Sequence, residues 1–213
     1  MGIERVVQNR QRLMDVLTRK GEVNRPSAGQ PRVPSGQRVT SGFPILDLGL
    51  RPAFDPATWT LQIMGDVEVP LQFTWDEFRK LPRVEQVSDF HCVTTWSKLD
   101  VPWAGVSMRT IAELTRPQES ARFVIAQCGE GYATNLPIAA ALDDDALLAY
   151  ELDGQPLPIE HGGPLRLIVP KLYAWKSAKF LRALKFAATD EPGFWEKRGY
   201  HHHGDPWREE RFG

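Results

Sequence analysis

The sequence predicts an α+β domain in which β-strands dominate and the helices are short. Several segments rich in β-branched and aromatic residues follow one another along the chain, and the helical patterns between them are brief. Seventeen prolines, 17 glycines and 7 tryptophans favour a fold with many turns and aromatic anchors over a helical bundle. The order of the segments predicts mixed sheets rather than a repeated unit.

The first strands and the first helix are expected in residues 59–80. The segment WTLQIMGDVEVPLQF has the pattern of two strands around a turn at Gly65 and Asp66. Thr74 and Glu77 then have the spacing of a capping box, which predicts a short helix that ends near Lys80.

Further strands are predicted in four later segments, with one more helix between them. Ser107 is a candidate N-cap for a helix around MRTIAEL, and Asp153 with Gly154 forms a dipeptide typical of hairpin turns. The predicted strands are VEQVSDFHCV, RFVIAQC, ALLAYEL and PLRLIVP.

The two ends of the chain differ in composition from its middle. Residues 3–20 have apolar side chains at roughly helical spacing, and residues 21–44 contain so much Pro, Gly and Ser that regular structure is not expected. We therefore divide the chain into an N-terminal helix and Pro/Gly-rich arm over 1–41 and one folded domain over 42–213. The aromatic, Gly- and His-rich tail is expected to be ordered, as a lid or as a segment that wraps around the domain.

Composition and charge exclude several classes of protein. The 26 basic and 27 acidic residues leave a net charge of −1, so no basic field for binding nucleic acid is expected. The two cysteines favour a reducing compartment over a cross-linked secreted protein. The sequence has neither a visible export signal nor an apolar stretch long enough to span a membrane, so we predict a cytoplasmic protein.

Cys92 is the first candidate for chemistry, and the residues alone leave its role open. A single cysteine at the end of a strand is typically a small buried apolar residue. As the nucleophile of a thiol hydrolase it would need a partner such as His161 or the run at 201–203. Adjacent histidines in an extended chain point to opposite faces, so this run is interpreted as a partly exposed, pH-responsive rim rather than a metal site.

Four motifs in fixed order resemble the sulfite oxidase family of molybdopterin enzymes, from about Gly42 to Trp207. The similarity is to the small stand-alone sulfite oxidase-like oxidoreductases, which lack the haem and dimerisation domains. The motifs are DFHCVTTWS with VPWAGV (89–106), LDGQPLP with HGGPLRL (152–167), WKSAKF (175–180) and GFWEKRGY (193–200).

This resemblance implies a β-rich, mixed-sheet, barrel-like fold that binds a molybdenum-molybdopterin cofactor. Cys92 matches the family's molybdenum ligand, a position that suits a soft thiolate donor. Tyr200 matches the tyrosine beside the metal's exchangeable oxygen, so Cys92 and Tyr200 are the expected catalytic residues. Five further positions match those that bind the pterin or its phosphate: His161, Arg166, Ser177, Ala178 and Lys179.

The expected activity is a two-electron transfer of an oxygen atom to or from a small substrate that resembles sulfite or a sulfoxide. The family's sulfite-receiving arginine has no counterpart in the segment around Leu46, although Arg38, Arg51 or Lys98 could substitute. The sequence has no haem motif and no cysteine set for an iron–sulfur cluster, so a separate electron-transfer partner is expected. The alternatives are a thiol hydrolase and a non-catalytic binding module that retains the fold.

Overall fold

Residues 31–213 are described by the computed structural model, and within them eleven strands form two mixed β-sheets. The predicted helix over 3–20 lies outside the described residues. In chain order the strands are β1 (Arg38–Val39), β2 (Thr60–Gly65), β3 (Leu71–Thr74), β4 (Val84–His91), β5 (Trp96–Ser107), β6 (Phe123–Cys128), β7 (Ala133–Pro137), β8 (Leu147–Leu152), β9 (Gln155–Pro156), β10 (Arg166–Ile168) and β11 (Leu181–Ala187).

Each sheet contains one parallel pair among antiparallel ones. The six-stranded sheet has the order β1-β5-β8-β10, with β4 paired to β5 and β9 paired to β8. The five-stranded sheet has the order β3-β2-β11-β6-β7. The parallel pairs are β1 with β5 and β2 with β11. The predicted β-rich α+β class is confirmed.

The larger hydrophobic core contains side chains from both sheets. Leu148 and Tyr150 of β8 belong to this core, whereas Leu147 and Ala149 of the same strand belong to a second, smaller cluster. Successive side chains of a strand point to opposite faces, so β8 is buried on both sides. The second cluster also contains Phe90 of β4, and it lies next to the candidate site described below.

The helices are short and begin where capping residues predict them. Helix α1 (Trp75–Arg79) follows Thr74, and both hydrogen bonds of the predicted capping box with Glu77 are formed. Helix α2 (Met108–Thr115) is capped by the Ser107 hydroxyl, which accepts from the Thr110 N–H at 3.1 Å. Helix α3 (Ile138–Ala141) is a single turn, and 3₁₀ turns occur at Ile159–His161, Ala174–Lys176 and Glu196–Arg198.

Other features differ from the sequence prediction. The strands β5, β7 and β11 were not predicted, although β5 is 12 residues long and β11 is the middle strand of its sheet. Regular structure was not expected over 21–44, yet β1 pairs with β5 there. The Arg38 N–H donates to the Thr95 carbonyl and the Thr40 N–H to the Ser97 carbonyl, both at 2.9 Å. In residues 31–213 the longest helix has 8 residues, too few to cross a membrane.

Candidate functional site

A cavity of about 290 Å³ brings together segments that are far apart in sequence. Its walls come from the chain before β2, the β4–β5 loop, the β6–β7 hairpin, and the segments around β10 and after Gly193. All of the predicted site residues line it: Cys92, His161, Arg166, Ser177, Ala178, Lys179 and Tyr200.

Cys92 lies in the tight loop between β4 and β5. Its N–H donates to the Trp96 carbonyl at 2.8 Å, and its carbonyl accepts from the Thr95 N–H at 3.0 Å. The sulfur lies 3.1 Å from the Thr94 hydroxyl. Burial raises the pKa of the Cys92 thiol, while the Thr94 hydrogen bond and the charge of Arg211 oppose that rise. The loop therefore presents one soft donor to the cavity, and the Cys92 residue is only 6% exposed.

Arg166 and Lys179 supply positive charge to the same cavity. The Arg166 guanidinium donates to the His161 carbonyl at 2.7 Å and to the Ser177 carbonyl at 2.9 Å, but its Nε is buried without a partner. Lys179 Nζ donates to the Glu160 carbonyl at 2.6 Å. Burial lowers the pKa of Arg166 to about 9 and that of Lys179 to about 8, and the Arg166 charge also lowers the latter.

Neither cation forms an ion pair with a carboxylate in residues 31–213. Arg166 is buried and Lys179 is partly buried, and the carboxylates of Asp47 and Glu130 act on Lys179 only from a distance. A bound anion would supply the direct partner that both cations lack. The donor chemistry of this cavity therefore fits molybdopterin, which requires a soft sulfur ligand for its metal and cationic groups for its phosphate.

His161, Ser177 and Ala178 complete this part of the wall. The His161 ring stacks on Phe43 at 4.5 Å between centroids, and burial together with Arg166 lowers its pKa. The Ser177 hydroxyl accepts from the Val169 N–H at 3.0 Å. Ala178, which is 2% exposed, bonds to β10 through its carbonyl. These contacts fix the backbone of the wall around Arg166 and Lys179.

Tyr200 belongs to an aromatic wall of the cavity. Its ring stacks on Trp195 at 4.9 Å between centroids and meets Trp175 edge-on at 5.1 Å. Burial raises the pKa of the Tyr200 phenol, and the charge of Cys92 adds to that rise. The phenol therefore keeps its proton at neutral pH and can donate a hydrogen bond inside the cavity.

A buried ion pair behind this wall was not predicted from the sequence. Lys176 Nζ donates to Glu196 Oε1 at 2.6 Å, and both side chains are fully buried. The same oxygen accepts from Trp175 Nε1 at 2.9 Å, so the ion pair orients one ring of the wall. The sequence gives no sign of this pairing, because 20 residues separate its members.

Two carboxyl groups of the cavity were also missed. Glu130 lies at the tip of the β6–β7 hairpin, and burial raises its pKa to about 7. Asp47 accepts from Arg51 at 3.0 Å. Neither position has a sequence pattern that distinguishes it from an ordinary surface acid.

The suggested substitutes for the missing arginine do not line the cavity: Arg38, Arg51 and Lys98. Arg38 lies in β1, Arg51 is paired with Asp47, and Lys98 Nζ donates to the Ser41 carbonyl at 2.5 Å. None of the three side chains therefore enters the cavity, although the charge of Arg51 acts on His161 and Lys179.

The histidine run over residues 201–203 is partly exposed, as predicted, but it does not line the cavity. His202 pairs with Asp190 at 2.7 Å, and His203 pairs with Glu210 at 2.8 Å. Across residues 31–213 no cluster of His, Cys, Asp and Glu is arranged to hold a metal ion.

The sequence profile of the "Oxidoreductase molybdopterin binding domain" family matches residues 48–195. The uncharacterized oxidoreductase YuiH of Bacillus subtilis is 46% identical over 189 residues, which cover 88% of this chain and 96% of that protein. The putative protein-methionine-sulfoxide reductase subunit YedZ1 of Azospira oryzae is 33% identical, over 70% of this chain and 57% of its own length.

Two more distant proteins agree with these matches. The protein-methionine-sulfoxide reductase catalytic subunit MsrP of Campylobacter jejuni is 29% identical, over 67% of this chain and 54% of its own length. The crystal structure of the sulfane dehydrogenase SoxCD of Paracoccus pantotrophus matches 70% of this chain and 42% of its own, with a TM-score of 0.60 at 21% identity, which supports the fold. The chain is thus an enzyme of the sulfite oxidase family of molybdopterin-binding oxidoreductases.

Proposed function

We propose that this enzyme reduces a small neutral sulfoxide, with the Cys92 thiolate as the protein's ligand to molybdenum. The observation that carries the proposal is the joint presence, in one cavity, of a buried thiol and two cations, neither of which forms a direct ion pair within residues 31–213. When bound, the cofactor supplies a metal that changes by two electrons and exchanges an oxygen atom with the substrate.

In this proposal the residues of the cavity hold the cofactor, orient the substrate and exclude water from it. Lys179 and Arg166 hold the phosphate of the pterin through charge-assisted hydrogen bonds. Tyr200 donates a hydrogen bond to the substrate oxygen, and Trp175 and Trp195 exclude water beside it. Aromatic faces also suit a sulfur substrate, because sulfur packs favourably against aromatic rings.

The charge pattern favours a sulfoxide over sulfite. Leu46, at the position where a sulfite-receiving arginine is expected, lines the cavity and brings no charge. Two relatives are named as subunits of protein-methionine-sulfoxide reductases. In the proposed reaction the S–O bond breaks, the sulfoxide gains two electrons and two protons, and a sulfide and water leave.

A separate redox protein supplies the two electrons in this proposal. Relatives named as subunits imply that their partners are other polypeptides. The expected absence of haem and of an iron–sulfur cluster stays a prediction, as does the cytoplasmic location.

The thiol hydrolase alternative has less support. In the described part of the chain the Cys92 sulfur bonds to Thr94 and not to a histidine, and the pKa of the thiol is raised. A hydrolytic cysteine needs the opposite, a nearby base and a lowered pKa.

Metal analysis of purified protein tests the proposal directly. Protein from a host that makes molybdopterin should carry about one molybdenum per chain and reduce dimethyl sulfoxide with a reduced dye as electron donor. Cys92→Ser should lose the metal or the activity, whereas Cys128→Ser, which changes the other free cysteine, should keep both. Full metal content with unchanged turnover in Cys92→Ser would contradict the assignment of the ligand.

A further inference from the structure

The loop that carries Cys92 is held from outside by the two flanks of the domain. The family profile matches residues 48–195, so residues 31–47 and 196–213 lie beyond it. Both flanks nevertheless bond to backbone carbonyls of the loop over residues 92–96. Several hydrogen bonds to the Cys92 loop thus come from residues outside the range that the family profile matches.

Gln37 is the contact from the first flank. Its Nε2 donates to the Cys92 carbonyl at 3.1 Å, and its Oε1 accepts from the Ser97 hydroxyl at 3.4 Å. The same hydroxyl lies 2.8 Å from His91 Nδ1. One amide therefore bridges the two ends of the loop, and the parallel pairing of β1 with β5 keeps it there.

Arg211 is the contact from the second flank. Its guanidinium donates to the Val93 carbonyl, directly beside Cys92, and lies 5.1 Å from the centre of the Tyr173 ring. Tyr173 is itself fully buried, and its N–H donates to the Gly204 carbonyl at 2.8 Å. The side chain of Arg211 is thus packed between the loop and the core.

We propose that Gln37 and Arg211 are positioning residues that fix the Cys92 loop for metal binding. The inference rests on the proposed function, because it gives Cys92 the role of ligand. Each residue acts through a backbone carbonyl of the loop, so neither contacts the metal or the substrate.

The first test uses cofactor-free protein and needs no molybdenum. Gln37→Met and Arg211→Met each remove one hydrogen bond to the loop, which should raise the rate at which iodoacetamide alkylates the Cys92 thiolate about fivefold. The rate is expressed per thiolate, from its dependence on pH, because Arg211→Met also removes a charge that lowers the pKa of the thiol. Mass spectrometry of the peptides separates Cys92 from Cys128. Gln37→Glu keeps the acceptor for Ser97 but cannot donate to the Cys92 carbonyl, so it should resemble Gln37→Met.

The second test uses the loaded enzyme. Absorption bands that arise from charge transfer between thiolate and metal depend on the sulfur's orientation, so they should shift in both Met variants. Arg211→Lys, which keeps one charged donor, should restore part of the parent spectrum.

Matched controls distinguish positioning from general destabilisation. Gln62→Met removes an exposed amide that bonds to Gln72, and Arg116→Met removes an exposed ion pair with Glu68. Both should leave alkylation and spectrum unchanged. The inference is overturned if Cys92 in the Gln37 and Arg211 variants reacts no faster than in the parent, or if the controls react equally fast. If the thiol results hold but no molybdenum binds, the proposed function fails instead.

Discussion

At the scale of single residues, Lys179 offers the most direct test of anion binding. Its lowered pKa of about 8 means that the ammonium loses its proton as the pH rises through 8. The affinity of the cofactor-free protein for sulfate, whose own charge is constant here, should therefore fall between pH 7 and about 9.5.

The parent protein is compared with a variant in which Lys179 cannot carry a charge. Lys179→Met should bind sulfate weakly at pH 7 and should lose the fall in affinity around pH 8, so that only a fall near pH 9 from Arg166 remains. It should also lose pterin on dialysis, since a lost buried charge contact typically costs about 2–5 kcal/mol. Lys185→Met, which removes a cation paired with Glu191 on the surface, should behave as the parent does. Equal pterin retention by both variants would locate the phosphate elsewhere.

Substitution of Leu46 tests whether the substrate is a neutral sulfoxide or the sulfite anion. Leu46→Arg places a cation at the cavity and should raise kcat/KM for sulfite about tenfold to a hundredfold, since a charged hydrogen bond contributes about 1.5–3 kcal/mol. Reduction of dimethyl sulfoxide should change less, and the gain for sulfite should shrink at high salt. Efficient oxidation of sulfite by the parent enzyme would refute the argument for a neutral substrate.

Asp145, which lies away from the cavity, should make the stability of the protein depend on pH. Both of its carboxylate oxygens are buried without a partner, and burial raises its pKa from 3.8 to about 7. The folded state therefore binds more protons than the unfolded state between pH 4 and 7, and stability falls as the pH rises through that range.

Removing the Asp145 charge should reverse that loss. Asp145→Asn should stabilise the protein at pH 8, by about 4 kcal/mol at most, and change little at pH 4. Thermal unfolding at both pH values measures the effect. Asp144→Asn, at an exposed position, is the control. The change in stability that it causes should be about the same at pH 8 and pH 4.

At the scale of elements, the contact between β5 and β8 depends on Gly105. A Cβ atom there would lie 2.0 Å from the Leu148 carbonyl oxygen, which belongs to the backbone and cannot move alone. Gly105→Ala should therefore cost about 3 kcal/mol or more in unfolding free energy. Gly42→Ala, where the nearest atom is 4.0 Å away, should be nearly neutral. Similar urea unfolding midpoints for the two variants would exclude this close approach.

Elements set by local chemistry could be predicted, and those set by distant pairing could not. The caps at Thr74 and Ser107 involve residues only three positions apart, so the sequence contains the whole interaction. Strand β5 includes Pro102 and Gly105, residues that argue against a strand, and it exists because β4 and β8 supply partners on either side. Strand β11 likewise depends on β2 and β6.

At the scale of the whole molecule, the site residues that belong to local motifs were predicted, and those that reach the site through distant contacts were missed. Motifs located Cys92 and Lys179, because the residue types and their order carry the information. Glu130 reaches the cavity only through a hairpin, and Gln37 and Arg211 reach the Cys92 loop only because both flanks fold back. Such positions follow from tertiary contacts that no local pattern encodes.

The cavity also links the supply of cofactor to the amount of this protein that cells contain. Its walls join segments from Phe43 to Tyr200, so they exist together only in the folded chain. A ligand that binds the folded state alone adds stability by mass action, about 4 kcal/mol at a thousandfold excess over its Kd. Cells that cannot make the cofactor should therefore contain less of this protein, because its more frequent unfolding exposes it to proteases.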